Sequence, residues 1–346
     1  MKLDKKVADR LKFALKLIVG LGLVVYVLRS NMVDFAALGE VVFKPVNLGL
    51  SLVAYTLMTV VIVSRWHLLV RAQGLSLSFK ELFSLTMIGN FFNTFMPGSV
   101  GGDLIKAWYV AGQEPQRKTK AIFTVLLDRV IGLTIIVFSA AATLLIFNEW
   151  LVGRPELKLL AYSLWAFTGA TLLFGGLFFL STRVKISQVS RLMEFFRGVK
   201  FVGKILDALL LYRNELPTMF KAVVLSFMNV MLLSSLWAIH GMAMGIDITL
   251  AHYFFIVPVG LTVSAIPLLP GGIGVGQVAF FTLFSWLGVQ NPEQGGTLCT
   301  LLQVHLILFN CLGSYFYLRF KSAARPDKKP QSGGSPGGNL YSAKHA

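Results

Sequence analysis

Three features of the sequence predict an all-α polytopic membrane protein, built from inverted-topology repeats with two re-entrant broken-helix hairpins and about six full spans. Of 346 residues, 55% are hydrophobic and 14% charged, against roughly a quarter charged in an ordinary soluble protein. Mean hydropathy is +0.70. Several apolar runs reach the roughly 17–25 residues that cross lipid. A glycine-proline loop then occurs twice inside apolar stretches, as Pro97-Gly98-Ser99-Val100-Gly101-Gly102-Asp103 and Pro270-Gly271-Gly272-Ile273-Gly274-Val275-Gly276-Gln277. The runs are continuous rather than alternating, and an open sheet edge cannot sit in lipid, so strands are excluded.

The chain opens with Lys2, Lys5, Lys6, Arg10 and Lys12, followed by an apolar run from Phe13 to Leu28. No small-x-small cleavage site follows at Arg29-Ser30-Asn31-Met32, so this run reads as an uncleaved first span rather than a removed signal. Full spans are expected at about 13–29, 46–64, 121–147, 158–181, 219–242 and 298–319, with hairpins at 82–112 and 251–289. These make one transmembrane domain over 1–321, with repeat 1 at about 46–147 and repeat 2 at about 219–319. The flanks of the loops repeat too. Trp66 and Gly74 are matched by Trp237 and Gly245, both 171 residues later, and Pro97 is matched by Pro270, 173 later. Paired broken segments in the two halves of a membrane protein point to a transport site.

Between the repeats lies a connector, 182–218. Over 186–213 it places Leu192, Phe195, Phe196, Val199 and Val202 near helical spacing, with Arg191, Arg197, Lys200 and Lys204 between. It reads either as a helix lying on an anionic leaflet or as a plain connector. Residues 322–346, rich in Ser, Gly, Pro and Lys, read as a disordered tail.

The net charge of +16 would suggest nucleic acid only if its location were ignored. With the two glycine segments drawn as hairpins, 25 of the 32 Lys and Arg residues fall on one face, in 1–12, 64–81, 113–120, 182–221 and 319–346. Four fall on the other face, and Lys16, Lys106 and Arg129 lie inside membrane segments. The basic face is therefore cytoplasmic, as are both termini. The span before the first hairpin then runs inward and the span before the second runs outward, so the hairpins enter from opposite sides. The expected location is the cell (inner) membrane. Cys299 and Cys311, 12 residues apart on one apolar run, would sit about 18 Å apart on a helix, too far for a bridge.

A chain break in lipid leaves N–H and C=O groups that must be buried in protein or wetted. Each loop is followed by a short helix, expected at about 103–112 and 276–288. Its free N–H groups and positive dipole end point toward the protein centre, and two such termini make an anion site suited to phosphate. The glycines also fit a purely structural role in close helix packing. Candidate binding residues are Asn90, Asn93, Gly98, Ser99, Gly101, Gly102, Asp103, Lys106, Asp128, Arg129, Gly271, Gly272, Gly274 and Gln277. Intramembrane charge is costly and commonly functional. Arg129 offers a fixed fork of donors for phosphate, or else a structural pair with Asp103 or loop carbonyls. Asp103 sits where an N-cap would be, with Lys106 one turn later. Gln277, Gln303 and Asn310 are either second-half counterparts of Asn90 and Asn93 or helix–helix hydrogen bonds.

A nucleotide site is excluded. Neither loop carries Gly-Lys-Ser/Thr, and Gly272, Gly274 and Gly276 lack the dinucleotide spacing and context. No His, Cys or carboxylate cluster has metal-ligand spacing, so no metal and no cofactor is expected. The histidines His67, His240, His252, His305 and His345 do not pair at helical spacing.

These motifs together resemble the flippase-like family of the lysylphosphatidylglycerol synthase transmembrane region, over about residues 10–320. The resemblance rests on the Asn-rich approach to Pro97…Gly101-Gly102-Asp103, the Asp128-Arg129 pair, and Pro267…Pro270-Gly271-Gly272-Ile273-Gly274-Val275. It implies a lipid translocase, in its best-known members for aminoacylated phosphatidylglycerol, in others tied to isoprenoid-linked sugars. Many relatives carry arginine where this chain has Lys106 and glutamate where it has Gln277. No counterpart of the namesake's synthase domain is expected in the residues after 320. The expected function is a flippase for an anionic phospholipid or an isoprenoid-phosphate-linked lipid, not an enzyme. The expected partners are membrane lipid and a lipid-synthesising enzyme, with no nucleic acid. The alternatives are a secondary transporter of a small soluble anion and a non-catalytic membrane subunit of a lipid or glycan pathway.

Overall fold

A computed structural model describes residues 25–27, 29, 32–95, 101–183, 211–264 and 273–323. Nearly all of the expected first span lies outside these residues. So do Pro97, Gly98, Ser99, Val100, Pro267, Pro270, Gly271 and Gly272, most of the amphipathic connector, and the tail beyond 323.

Among the described residues the protein is all-helical. The helices are α1 (Phe35–Val41), α2 (Pro45–Ala72), α3 (Phe79–Phe95), α4 (Gly101–Gln113), α5 (Lys118–Ile146), α6 (Pro155–Arg183), α7 (Leu216–Ala243), α8 (Leu250–Ser264), α9 (Val275–Trp286), α10 (Glu293–Cys311) and α11 (Gly313–Ala323). Five stretches are long and apolar enough to cross a membrane: Pro45–Ala72, Lys118–Ile146, Pro155–Gly176, Leu216–Ala243 and Glu293–Arg319. The chain is a multi-pass membrane protein. The last stretch is interrupted at Leu312, between α10 and α11. There Gly313 lies against the Met87 carbonyl and the Phe91 side chain of α3, where a Cβ has no room.

Local chemistry explains the helix ends. Proline opens both α2 and α7 in the first turn, where its missing N–H costs nothing. Both helices also stop the same way. Leu75 N–H donates to the Val70 carbonyl and Gly74 N–H to that of Arg71, with Gly74 at φ +68°. In the second half Ile246 N–H donates to Gly241 and Gly245 N–H to Met242, with Gly245 at φ +73°. This is the Schellman ending, which needs a left-handed residue and therefore favours glycine.

The packing has a regular scheme. Within the first half, α2 packs on α3, α3 on α4, α4 on α5, and α2 on α5. Within the second, α7 packs on α8, α8 on α9, α9 on α10, and α7 on α10. Between the halves, α2 packs on α7, α2 on α10 as α7 on α5, and α3 on α10 as α8 on α5. Exchanging α2–α5 with α7–α10 leaves this set unchanged. Helices α2 and α7 run antiparallel, since Ser51 early in α2 meets His240 late in α7, while Arg65 late in α2 meets Ser226 early in α7. Helix α6 stands apart from the scheme and packs on α5. Many of its apolar side chains, including Leu159, Tyr162, Phe167, Leu172 and Leu173, face outward, as lipid contact requires.

The helices outrun the spans that hydropathy alone marks. The first-half span expected to end at 64 continues to Ala72. Arg65, assigned from sequence to a cytoplasmic loop, is instead 6% exposed in the helix bundle. Its guanidinium is neutralised by a partner on α5, so a charge that reads as a span boundary is a packed interior group.

Candidate functional site

The two short helices start close to their expected places, α4 at Gly101 and α9 at Val275 with Gly274 as its N-cap. In the first half, helix α4 is drawn against α3 through Gly102, whose Cα lies against the Gly89 carbonyl and the Asn93 side chain. The Gly102 N–H donates to Asn93 Oδ1 at 2.7 Å. Asn93 thus satisfies one of the free N–H groups at the start of α4. Asn90, one turn earlier in α3, is half-buried, and its carbonyl accepts from Thr94 Oγ1 at 3.0 Å.

The first turn of α4 carries a charge cluster. Asp103 is ion-paired with Arg129 of α5 and lies 3.8 Å from Lys106 Nζ. Lys106 is 7% exposed, and its ammonium stands 5.3 Å above the Trp66 ring. An indole face attracts a cation, the more so where water is excluded. Trp66 is itself oriented by donating Nε1–H to Thr124 Oγ1 of α5 at 3.0 Å. The Arg129 side chain remains 29% exposed. With two cations and one carboxylate, the cluster carries a net positive charge.

Asp128 belongs to a different cluster from its neighbour Arg129. Its two oxygens accept from Arg65 Nε at 2.7 Å and Nη2 at 3.0 Å. Arg65 Nη1 donates to Ser226 Oγ of α7 at 2.8 Å. This bidentate pair fixes α2 to α5 and reaches the other half. It passes over Gly132, where an added Cβ would stand 3.1 Å from Arg65 Nη1. Sequence reading missed Arg65. The available signal was its place immediately before the repeated Trp66 inside an otherwise apolar run.

In the second half, Gly274 has φ +84° and forms the N-cap of α9. Gln277 Oε1 accepts from the Gly274 N–H at 2.7 Å, which is half of a capping box. Gln277 Nε2 donates to Thr300 Oγ1 at 3.2 Å and Gln303 Oε1 at 2.9 Å, both on α10. Asn310 Nδ2 donates to Thr94 Oγ1 of α3 at 2.9 Å. Gln277, Gln303 and Asn310 therefore make helix–helix hydrogen bonds. Gly101 starts α4, and Gly98, Ser99, Gly271 and Gly272 lie outside the described residues.

Beside the start of α9 a cavity of about 310 Å³ lies between α6, α8 and α9, lined by Leu160, Val259, Val263, Val275, Ala279 and Trp286 among others. Its walls are almost wholly apolar, with Thr282 the one polar residue.

The family model described as the lysylphosphatidylglycerol synthase TM region matches residues 13–313. A curated relative, "UPF0104 membrane protein MJ1595" of Methanocaldococcus jannaschii, is 30% identical over 96 residues, covering 28% of this chain and 29% of that protein. The match thus spans under a third of the relative's length. No solved structure matches. With most of its length matched, the chain belongs to the family of the lysylphosphatidylglycerol synthase TM region.

Proposed function

We propose that this family member is a lipid translocase that carries an anionic headgroup between leaflets of the inner membrane, with both termini cytoplasmic. The headgroup phosphate is held between the starts of α4 and α9, with Lys106 and Arg129 adding positive charge. The acyl chains stay in lipid. The observation that carries this reading is the apolar cavity lined by Val275, the first residue of α9. A soluble anion has no use for a greasy wall next to its binding loop, whereas a lipid tail does.

The packing scheme supports an inverted repeat. Each half contributes the same sequence of contacts, and the two leading helices, α2 and α7, run antiparallel. The legs of each broken segment are short. At about 1.5 Å per residue, the 13 residues of α4 reach about 20 Å and the 12 of α9 about 18 Å. Neither crosses a hydrocarbon core of about 30 Å, as re-entrant hairpins require. Two half-helices starting inside the membrane and pointing positive ends inward suit an anionic guest.

The test is leaflet exchange. Purified protein in liposomes should accelerate the transfer of a labelled anionic phospholipid between leaflets. Filling the cavity with Ala279→Trp should slow it, while the protein remains folded. Liposomes that pass a small anion yet never exchange lipid would replace the translocase with a soluble-anion transporter. Liposomes that do neither would leave the chain as a membrane subunit acting through a partner.

A further inference from the structure

Two histidines far apart in sequence meet in the interior. Ser51 Oγ of α2 lies 2.8 Å from His305 Nδ1 of α10 and 3.1 Å from His240 Nε2 of α7. All three are essentially inaccessible, with Ser51 and His305 at 0% and His240 at 1% exposure. The outer nitrogens of both rings face carbonyls. His305 Nε2 is 2.6 Å from the Val42 carbonyl, and His240 Nδ1 is 3.0 Å from that of Leu236. The Asn47 carbonyl lies 3.3 Å from His240 Nε2 as a second acceptor there.

Counting hydrogens decides what this chain of groups is. It has four links: carbonyl to His305, His305 to Ser51, Ser51 to His240, and His240 to carbonyl. Each link needs one hydrogen. A neutral imidazole carries one N–H and a serine one O–H, so the neutral network holds three. Whichever tautomers are chosen, one link is left with two lone pairs facing each other. One added proton completes every link: Val42 carbonyl from His305 Nε2–H, His305 Nδ1 from Ser51 O–H, Ser51 Oγ from His240 Nε2–H, and Leu236 carbonyl from His240 Nδ1–H. His240 is then the imidazolium. It sits in the last turn of α7, where the helix dipole favours a cation. A second proton would place two charges on rings whose centroids are 5.8 Å apart and leave Ser51 between two donors.

The geometry points to a buried binding site for a single proton, shared by Ser51, His240 and His305 and spanning both halves of the molecule. The other titratable groups on the elements packed there do not neutralise it. On α2 the Tyr55 hydroxyl is committed to the Leu302 carbonyl, and on α10 Cys299 is a buried free thiol. Glu40 and Lys44 beside the α1–α2 turn and Asp247 after α7 are exposed, while Glu293, at the first residue of α10, is half-buried. Among the described residues none of these forms an ion pair with either ring; the ion pairs are those of Arg65, Lys106 and Arg129. Occupancy by one proton therefore changes both the charge and the hydrogen bonding at the junction of α2, α7 and α10.

The test reads protonation directly and does not depend on transport. The variant H67Q/H252Q/H345Q keeps only His240 and His305. Uniformly ¹⁵N-histidine-labelled and placed in phosphatidylcholine bilayers, it is examined by solid-state nitrogen NMR between about pH 5 and pH 8. One imidazolium for every two rings at the acid end is expected, whether it is lost in a single step on raising the pH or retained. Ser51→Ala in the same background should abolish the shared state, so that the rings titrate independently. Two neutral rings throughout, two imidazolium rings at the acid end, or an unchanged titration in Ser51→Ala would overturn the proposal. If the triple variant does not insert, the wild-type spectrum minus that of the double variant H240Q/H305Q gives the same count.

Discussion

The first turn of α4 and the first turn of α9 are tied to the next long helix at matching places but with different chemistry. In the first half, Asp103 binds Arg129 of α5 through an ion pair. In the second, Gln277 binds Thr300 of α10 through an amide–hydroxyl hydrogen bond of 3.2 Å. Arg129 and Thr300 are separated by 171 residues, the same offset as the tryptophans. The start of each helix is capped by an amide, Asn93 from the neighbouring helix for α4 and Gln277 from within α9. Backbone architecture is thus repeated while charge is confined to one side. The charged half also holds the second ion pair, Arg65–Asp128, where the position corresponding to Arg65 is Leu236. Repetition of the backbone makes two helix starts, and asymmetry of side chains gives only the first of them a charged cluster.

The largest test of this comparison concerns backbone approach. Gly102→Val would drive a branched side chain into the Gly89 carbonyl and Asn93. Since the obstacle is backbone, the hairpin cannot relax around it, and loss of monodisperse, inserted protein on size exclusion is expected. Gly274→Ala meets a different limit, a left-handed φ, costing about 1–2 kcal/mol and leaving folded protein. Equal tolerance at the two sites would break the contrast between a backbone clash at Gly102 and a strained φ at Gly274.

Next comes the buried pair. Asp128→Asn or Arg65→Met leaves one buried group unmatched and should lower stability by about 3–5 kcal/mol, read as a large fall in melting temperature. The double change Arg65→Leu/Asp128→Leu should recover most of it, because the second half already uses leucine at the corresponding place. If the single variants melt like wild type, charge in the first half is not holding α2 to α5.

Arg129→Gln should reduce binding of an anionic lipid by about ten- to a hundredfold, equivalent to a charged hydrogen bond of about 1.5–3 kcal/mol, with the protein still inserted. Thr300→Val should change it far less. Equal losses would mean that both helix starts contribute charge-like contacts. Gln277→Ala removes the α9 cap and should cost about 1 kcal/mol, detectable as a modest melting shift.

The smallest effect lies at the corner after α2. Glu114 Oε1 accepts from Ser76 N–H and Oγ–H, both at 3.0 Å. The backbone N–H of Ser76 lowers the Glu114 pKa most; desolvation opposes it, and the Ser76 hydroxyl and nearby Arg117 lower it further. A lowered carboxylate pKa contributes stability that is present above the ordinary carboxylate range and is lost as pH falls through the lowered value. Ser76→Ala should move the Glu114 titration, followed by carboxyl NMR, upward toward that ordinary range. Among the described residues, the corresponding second-half corner shows no such carboxylate contact, and Thr249 is bonded to His252. A titration unchanged in Ser76→Ala would remove the hydroxyl's share of this difference and leave it to the Ser76 N–H alone.

Much of the architecture was legible because it rests on composition and local chain chemistry. Apolar run length marked the long helices, proline and glycine marked the ends of α2 and α7, and the doubled glycine loop marked where the short helices begin. The candidate residues Asp103, Lys106 and Arg129 were identifiable because charge is expensive in lipid. The error came from the same reasoning. Arg65 was assigned to a loop because a lone sequence cannot show that Asp128, 63 residues away, neutralises it. Asp128 and Arg129, by contrast, were expected to point apart, since neighbours on a helix lie about 100° from each other, and each has a different partner.

The sequence by itself determined the solvent this protein is built for, the rough length of the long helices described, and the matching glycine ends of α2 and α7. Those properties depend on the identity and spacing of neighbouring residues. The pairing of charges, the cap donated by Asn93 and the meeting of Ser51, His240 and His305 depend on which helix faces which. Only the tertiary structure decided them, since hydrogen bonds between residues 189 and 254 positions apart exist only after α2, α7 and α10 have packed.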